Sequence, residues 1–313
     1  MQPYHWESHH GNFGDDLNLW LWDYLLPGFR DVHPETMLVG VGTVLNPVLL
    51  PRDRKKLVVG SGYGYGEVPD ITTPDWDVRC VRGPLTAAKL GLPTEKGITD
   101  PAVLISDMPE FQNLQKIHKK TFIPHWESAE FGMWPTVCEP IGLTYLDPRG
   151  EAKAVIRHIA QSELIIAESM HGAILADAFR VPWVAVSTSR AINNFKWTDW
   201  ASSVRARYEP RYVPVSTRAE AVKKRSSFWG MNFDKEQPQA ATAGSSAAGG
   251  AGARSAPKQT GLRGMVKQAL AGPSTLALWQ ASRAEPHLSP DGAIEERKQM
   301  FREVLEGIKR DYF

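Results

Sequence analysis

The run Ser169-Met170-His171-Gly172 combines residue types that can hold an anion and move a proton. It follows Leu164-Ile165-Ile166, a short branched apolar run that reads as a buried parallel strand. Ala173 to Phe179 is rich in helix formers, and Pro182 stops the pattern before a second apolar run, Trp183-Val184-Ala185-Val186. Strand, turn, helix and strand place Ser169 and His171 at a strand's carboxyl end and a helix's N-terminus. Ligands bind there in open α/β sheets. Free backbone N–H groups and the helix dipole favour an anion at that point. An imidazole beside an anion is a candidate acid or base for phosphate-ester chemistry. The competing reading is a buried histidine that caps the turn.

A second candidate segment runs from His10 through Asn12, Phe13, Gly14, Asp15 and Asp16 to Asn18. Gly11 and Gly14 permit a sharp turn and close backbone approach. Asp15 or Asp16 can cap the helix that follows. A carboxylate at such an edge can also take a proton from a sugar hydroxyl. Tryptophans at positions 6, 20 and 22 flank the segment. Arg82 and the His125-Trp126-Glu127 run fall at further strand ends, and an arginine there can fork onto a carboxylate or phosphate. Gly40-Val41-Gly42 and Gly60 to Gly66 resemble dinucleotide loops only superficially, because no helix or spaced acidic residue follows in register. They read as loops passing close to a substrate. Asp100-Pro101 reads as a turn. There is no zinc-protease, nucleophile-elbow or Walker pattern, so no metal or resident cofactor is expected.

The elements that position these residues alternate. Asp15 to Leu26 has helical spacing, ended by Pro27-Gly28. Strand patterns follow at 36–42, 56–62 and 78–82, then a helix at 83–90 with proline in its first turn, and 99–104 closes the first half. The second half has strands at 121–125 and 142–146, a helix at 151–161, and the His171 block. This implies an α/β protein of two parallel-sheet domains, 1–115 and 116–232, facing a cleft. Residues 233–258 are almost all small or polar and read as a flexible linker, and 259–313 as an amphipathic helical extension. Its candidate helices are Leu262 to Arg283 and Asp291 to Asp311. The last is expected to dock on the domains or on a second chain. The alternative is a membrane-surface contact helped by Lys223-Lys224-Arg225, Arg263 and Lys267.

Composition excludes several classes. The formal net charge is +1, so no global field argues for nucleic acid. Two cysteines are too few for a disulfide framework, which fits a reduced, cytoplasmic setting. The polar N-terminus does not read as a secretory signal, and no run is long enough to span a bilayer.

Taken in order, GNFGDDLNLWLW, VGVGTVLN, VVGSGYGYG, VRGPLTAAKLGL, ITDPAVL, IPHWES, AESMHGAILADAFRVPWVAV and FKWTDW resemble the polysaccharide pyruvyl transferase family, in its branch acting on succinoglycan-type bacterial exopolysaccharides. The resemblance covers roughly residues 1 to 215 and leaves out the linker and the C-terminal helices. It implies two Rossmann-like domains in a glycosyltransferase-B-like arrangement. It implies phosphoenolpyruvate as co-substrate and a glycan acceptor, often lipid-linked, with a cyclic pyruvate ketal and phosphate as products. It leaves open a peripheral position at the inner face of the plasma membrane. His171 is then the expected acid/base and Asp15 the base on the sugar. Arg82, Ser169, Met170, Gly172, Arg190, Lys196 and His125 are expected around the donor, and Asn12, Phe13, Asp16 and Trp126 around the acceptor. Many relatives carry an arginine where this chain has Ser169, and Arg82, Arg190 and Lys196 are the candidates to replace it. A nucleotide-sugar glycosyltransferase on the same fold and a non-catalytic assembly scaffold are the rival readings.

Overall fold

The computed structural model describes residues 1–7, 9–189, 193–233 and 271–313. The first half contains β1 (Gln2–Pro3), α1 (Phe13–Asp16), α2 (Leu21–Leu25), β2 (Thr36–Val39), β3 (Lys55–Val59), β4 (Trp76–Cys80) and α3 (Pro84–Lys89). Its strands pair in parallel in the order β1-β2-β3-β4. The second half contains β5 (Thr121–Ile123), α4 (Trp126–Phe131), α5 (Trp134–Cys138), β6 (Thr144–Tyr145), α6 (Ala152–Ala160), β7 (Ile165–Ala167), α7 (Met170–Ala178), β8 (Trp183–Ser187), α8 (Asn194–Ser203), β9 (Arg211–Tyr212) and α9 (Arg218–Lys223). Its strands are also parallel, in the order β6-β5-β7-β8-β9. A hairpin, β10 (Ser227–Phe228) and β11 (Met231–Asn232), follows. The α/β class with parallel sheets is therefore observed. Central strands β2, β3, β5, β7 and β8 are almost wholly buried, as near-continuous apolar runs in a parallel sheet should be.

One continuous apolar cluster joins Leu38 and Leu57 of the first sheet to Ile123, Ile165 and Ala185 of the second. The halves thus share a core. A buried ion pair adds to this junction: Arg82, just after β4, meets Asp199 of α8 at 3.2 Å. Asp199 also accepts the Thr86 N–H, so a residue of the second half caps helix α3 of the first.

The expected helix from Asp15 to Leu26 is interrupted. A 3-10 turn, Leu17–Leu19, separates α1 from α2. Buried Asn18 gives the reason. Its amide donates to the Val41 carbonyl at 2.9 Å and its oxygen accepts the Val41 N–H at 2.9 Å and the Trp22 indole at 3.1 Å. These bonds pin the chain to the loop after β2 and tighten the helix there. The segment after Asp100, expected as a turn, continues as a 3-10 helix, Pro101–Asp107.

The C-terminal region is built into the body of the molecule. Helices α10 (Gly272–Ala281) and α11 (Ala293–Tyr312) are described. Arg190, the segment 234–258 and the basic residues Arg263 and Lys267 lie outside the described residues. Phe233, expected at the start of the linker, is buried with Val215 and Ala221. Buried Asp177 of α7 accepts from Ser289 and from the Trp183 indole, and His287 bridges Trp183, which fixes the chain between α10 and α11. Ile294, Phe301, Leu305 and Ile308 of α11 are buried in the shared cluster. Lys298 and Arg302 pair with Asp107, and Asp311 with Arg79. The apolar face of α11 is thus used inside the molecule. None of the described helices is long and apolar enough to cross a membrane.

If α11 is integral to the core, Phe301→Ala should lower the unfolding free energy by about 3–5 kcal/mol in urea titrations. A loss below about 1 kcal/mol would mean that the helix merely rests on the surface.

Candidate active site

The candidate site forms where two helix N-termini meet. Helix α7 starts at Ser169, whose hydroxyl accepts the Gly172 N–H at 3.4 Å. Gly172 has no room for a side chain: a Cβ would lie 2.7 Å from Ile123 of β5. Helix α1 starts at Asn12, whose side chain accepts the Gly14 N–H at 3.3 Å and donates to the Asp15 carboxylate. Gly14 then lies flat on the His171 ring, where a Cβ would stand 2.0 Å from Nδ1. Phe13 meets the same ring edge-on at 6.4 Å. The Asp15 carboxylate packs over Gly42, at 3.2 Å from the Cβ that Gly42 lacks. The loop after β2 is therefore shaped around it.

His171 is 8% exposed. Its Nε2 points at Asp100 Oδ2, 3.7 Å away, and both atoms are buried without a hydrogen-bond partner. Asp100 is fully buried, and its other oxygen accepts the Ala102 N–H at 3.0 Å. Burial raises the Asp15 carboxyl above its usual range, against the lowering effects of His171, Lys196 and Asn12. Lys196 of α8 supplies a positive charge felt by both Asp15 and His125.

The first strand end of the second half is held by a buried polar cluster. Lys224 Nζ donates to Glu168 at 2.5 Å, to Thr188 at 2.7 Å, and to Ser128. Glu168 Oε2 accepts the His125 N–H at 2.9 Å. The carboxylate, one residue before Ser169, thus ties β5 and β7 to α9. Burial alone would raise the Glu168 carboxyl, but Lys224 and His125 outweigh it and hold it at about 2. Burial and the charges of Lys196 and Lys224 push His125 down to about 3. Its neutral Nδ1 accepts the Glu127 N–H at 3.4 Å.

Several expected site residues take other places. Arg82 is fully buried, with Nε on Asp199, Nη1 on Thr43 and Nη2 on the Tyr63 carbonyl. It braces the loops and has no group facing solvent. Phe13 and Met170 are buried and support the His171 ring and the start of α7. Asn12, Asp16 and Trp126 are half-buried. Trp126 stacks on His10 at 5.7 Å and tilts against Trp6 at 6.1 Å, making an aromatic wall. Among the described residues no cluster of three or more His, Cys, Asp or Glu is arranged to hold a metal ion. The sequence reading missed Asp100, Glu168 and Lys224. For Asp100 the only signal was its place in ITDPAVL, and for Glu168 its position between an apolar strand and the capping Ser169.

Removing Lys224 would leave a buried carboxylate without its cation. Lys224→Met should cost about 3–5 kcal/mol, and the double variant with Glu168→Gln should recover part of it. Acid should act in the same sense on both perturbed groups. Their folded values lie below the unfolded ones, so their stabilisation is complete above the unfolded value and is lost as pH falls. The window runs from 6.5 to about 3 for His125 and from 4.5 to about 2 for Glu168. Unfolding free energies measured across this range should fall towards acid, less steeply in His125→Gln. An unchanged slope in that variant would rule out a neutral, desolvated His125.

Comparison with known proteins agrees with this arrangement of motifs. Residues 12–190 match the polysaccharide pyruvyl transferase family. The chain is also 65% identical over 316 residues to the succinoglycan biosynthesis protein ExoV of Rhizobium meliloti (strain 1021), with 100% of each chain covered. No solved structure matches. With more than half of the chain inside the family match, and a relative aligned end to end, the protein belongs to the polysaccharide pyruvyl transferases.

Proposed function

We propose that the protein transfers pyruvate from phosphoenolpyruvate to two hydroxyls of one sugar in a succinoglycan-type exopolysaccharide or its lipid-linked precursor. The product is a cyclic ketal, with phosphate released. The observation that carries this reading is the meeting of the α1 turn with His171 at the N-terminus of α7, where the Asp15 carboxyl feels the charges of His171 and Lys196. Phosphoenolpyruvate carries a carboxylate and a phosphate, so it needs a cation and oriented N–H donors. Lys196 and the first turn of α7 supply them, with Lys196 in the role of the arginine that Ser169 replaces. Arg190 follows β8 in sequence and is a further candidate for that role.

The steps balance without any redox change. Imidazolium His171 gives a proton to C3 of the donor as a sugar oxygen bonds to C2. Asp15 takes the proton of that hydroxyl. The C2–O bond to phosphate then breaks, and Asp15 returns its proton to the departing phosphate. The second hydroxyl adds to C2 and gives its proton to His171. Two hydroxyl protons are lost, one reaching C3 and one the phosphate, and both side chains recover their starting states. The raised carboxyl of Asp15 suits a group that both takes and returns a proton. The Trp126 wall is suited to stacking on the acceptor sugar.

Calorimetric titration distinguishes this from nucleotide-sugar chemistry. Phosphoenolpyruvate should bind and uridine diphosphate sugars should not. Lys196→Ala should weaken phosphoenolpyruvate binding roughly tenfold, the loss of one charge-assisted contact. His171→Ala and Asp15→Asn should each lower turnover at least about 10²-fold with an exopolysaccharide acceptor. Near-normal turnover in both would overturn these roles. Binding of the nucleotide sugar alone would move the protein to glycosyl transfer.

A further inference from the structure

We infer that Asp100 is the positioning residue of His171: it holds the imidazole as the Nε2–H form, so that Nδ1 is the atom that exchanges the proton. This deepens, and rests on, the pyruvyl-transfer reading above. The argument starts from two buried atoms. Asp100 Oδ2 and His171 Nε2 face each other at 3.7 Å and have no other partner. A buried polar atom without a hydrogen bond costs about 1–3 kcal/mol, so a pair of them aimed at one another is not a resting arrangement of indifferent groups. A carboxylate has no donor, so the proton between them belongs to Nε2. The gap is wider than the 2.7–2.9 Å or so of a charge-assisted bond, and such contacts often tighten only when substrate is bound.

The other edge of the ring has a different outlook. Nδ1 lies over Gly14 of α1, the residue before Asp15. Donor and acceptor are proposed to meet on that side. The charged groups around the ring are therefore Asp100 from the 3-10 helix, Asp15 from α1, and Lys196 from α8 acting through Asp15. The imidazolium that starts the reaction faces the Asp100 carboxylate and feels that of Asp15. Asp100 is fully buried and rigidly placed: Oδ1 caps the 3-10 helix at Ala102, and α11 packs on that helix from below. It acts through orientation and charge, without touching substrate.

Asp100→Asn is the informative variant, because the amide oxygen can keep the Ala102 cap and the volume is unchanged. The imidazole nitrogen signals of His171 report its tautomer directly, and the signal is assigned by its absence in His171→Gln. Wild-type protein should show a single Nε2–H form when neutral. Asp100→Asn should show a mixture or the other tautomer, with kcat reduced about 10²-fold and KM for phosphoenolpyruvate within about threefold. A wild-type signal from the Nδ1–H form would overturn the assignment without any variant. An unchanged spectrum and turnover in Asp100→Asn would do the same. If the tautomer is as expected but phosphoenolpyruvate does not react, the pair stands and the pyruvyl-transfer reading falls.

Discussion

The contact on which the site depends is the backbone of Gly14 lying against the His171 imidazole. No other residue fits there, since a Cβ would overlap Nδ1 at 2.0 Å. The contact joins the first turn of the first half to a strand end of the second. Asp15 is the next residue, and its carboxylate lies over Gly42 of the loop after β2, where a positive φ of 115° favours glycine. The ring's far edge then faces Asp100. One steric constraint thus selects a glycine at position 14 and seats the imidazole with its Nε2 edge towards Asp100.

Such a constraint holds only if the two halves cannot drift. Dispersion in the shared apolar core is non-directional, so it resists separation more than it resists sliding. The directional part comes from buried charges. Arg82 and Asp199 are both fully buried, and each nitrogen of the guanidinium has a partner from a different part of the chain: helix α8, the loop after β2 and the loop after β3. Glu168 and Lys224 do the same for β5, β7 and α9. Buried pairs of this kind add little net stability over an apolar replacement, because desolvation offsets the attraction. Their effect is on register: a displaced loop would strand a charge in the interior.

Much of this was legible in the sequence where local rules decide. The strand–turn–helix at 164–178 follows from an apolar run, a serine cap and a proline stop, and it emerged as β7 and α7. Helix α3 has its proline in the first turn, as expected, and α6 is capped by Glu151. The failures occur where a distant residue decides. The break at Leu17–Leu19 depends on Asn18 finding Val41, twenty-three positions away. Asp100 looks like a turn residue because its cap is local, whereas its second oxygen faces a histidine seventy-one positions on. Arg82 has the sequence position of an anion ligand, and only Asp199 shows otherwise. The C-terminal helix was expected to dock on the domains or on a second chain, but its partner could not be named, because the 3-10 helix 101–107 has no apolar period of its own.

The fate of Arg82 bears on the chemistry as a whole. The Arg82 guanidinium is fully buried among Asp199, Thr43 and the Tyr63 carbonyl, so it could reach a donor's phosphate only by leaving that setting. Gly62 lies flat against it, where a Cβ would stand 2.2 Å from Cζ, so there is no slack in which to turn. Releasing Asp199 would leave a fully buried carboxylate unpaired and would loosen the cap of α3. Charge that must meet a transient substrate has to come from groups that retain a solvent-facing side. Lys196 is half-buried, and the N–H groups at the start of α7 are fixed by the backbone. The cations of the chain thus have separate roles. Arg82 and Lys224 fix the walls through their buried partners, and on the proposed chemistry Lys196 meets the substrate. Such a division lets the site change its charge during turnover while the fold around it stays the same.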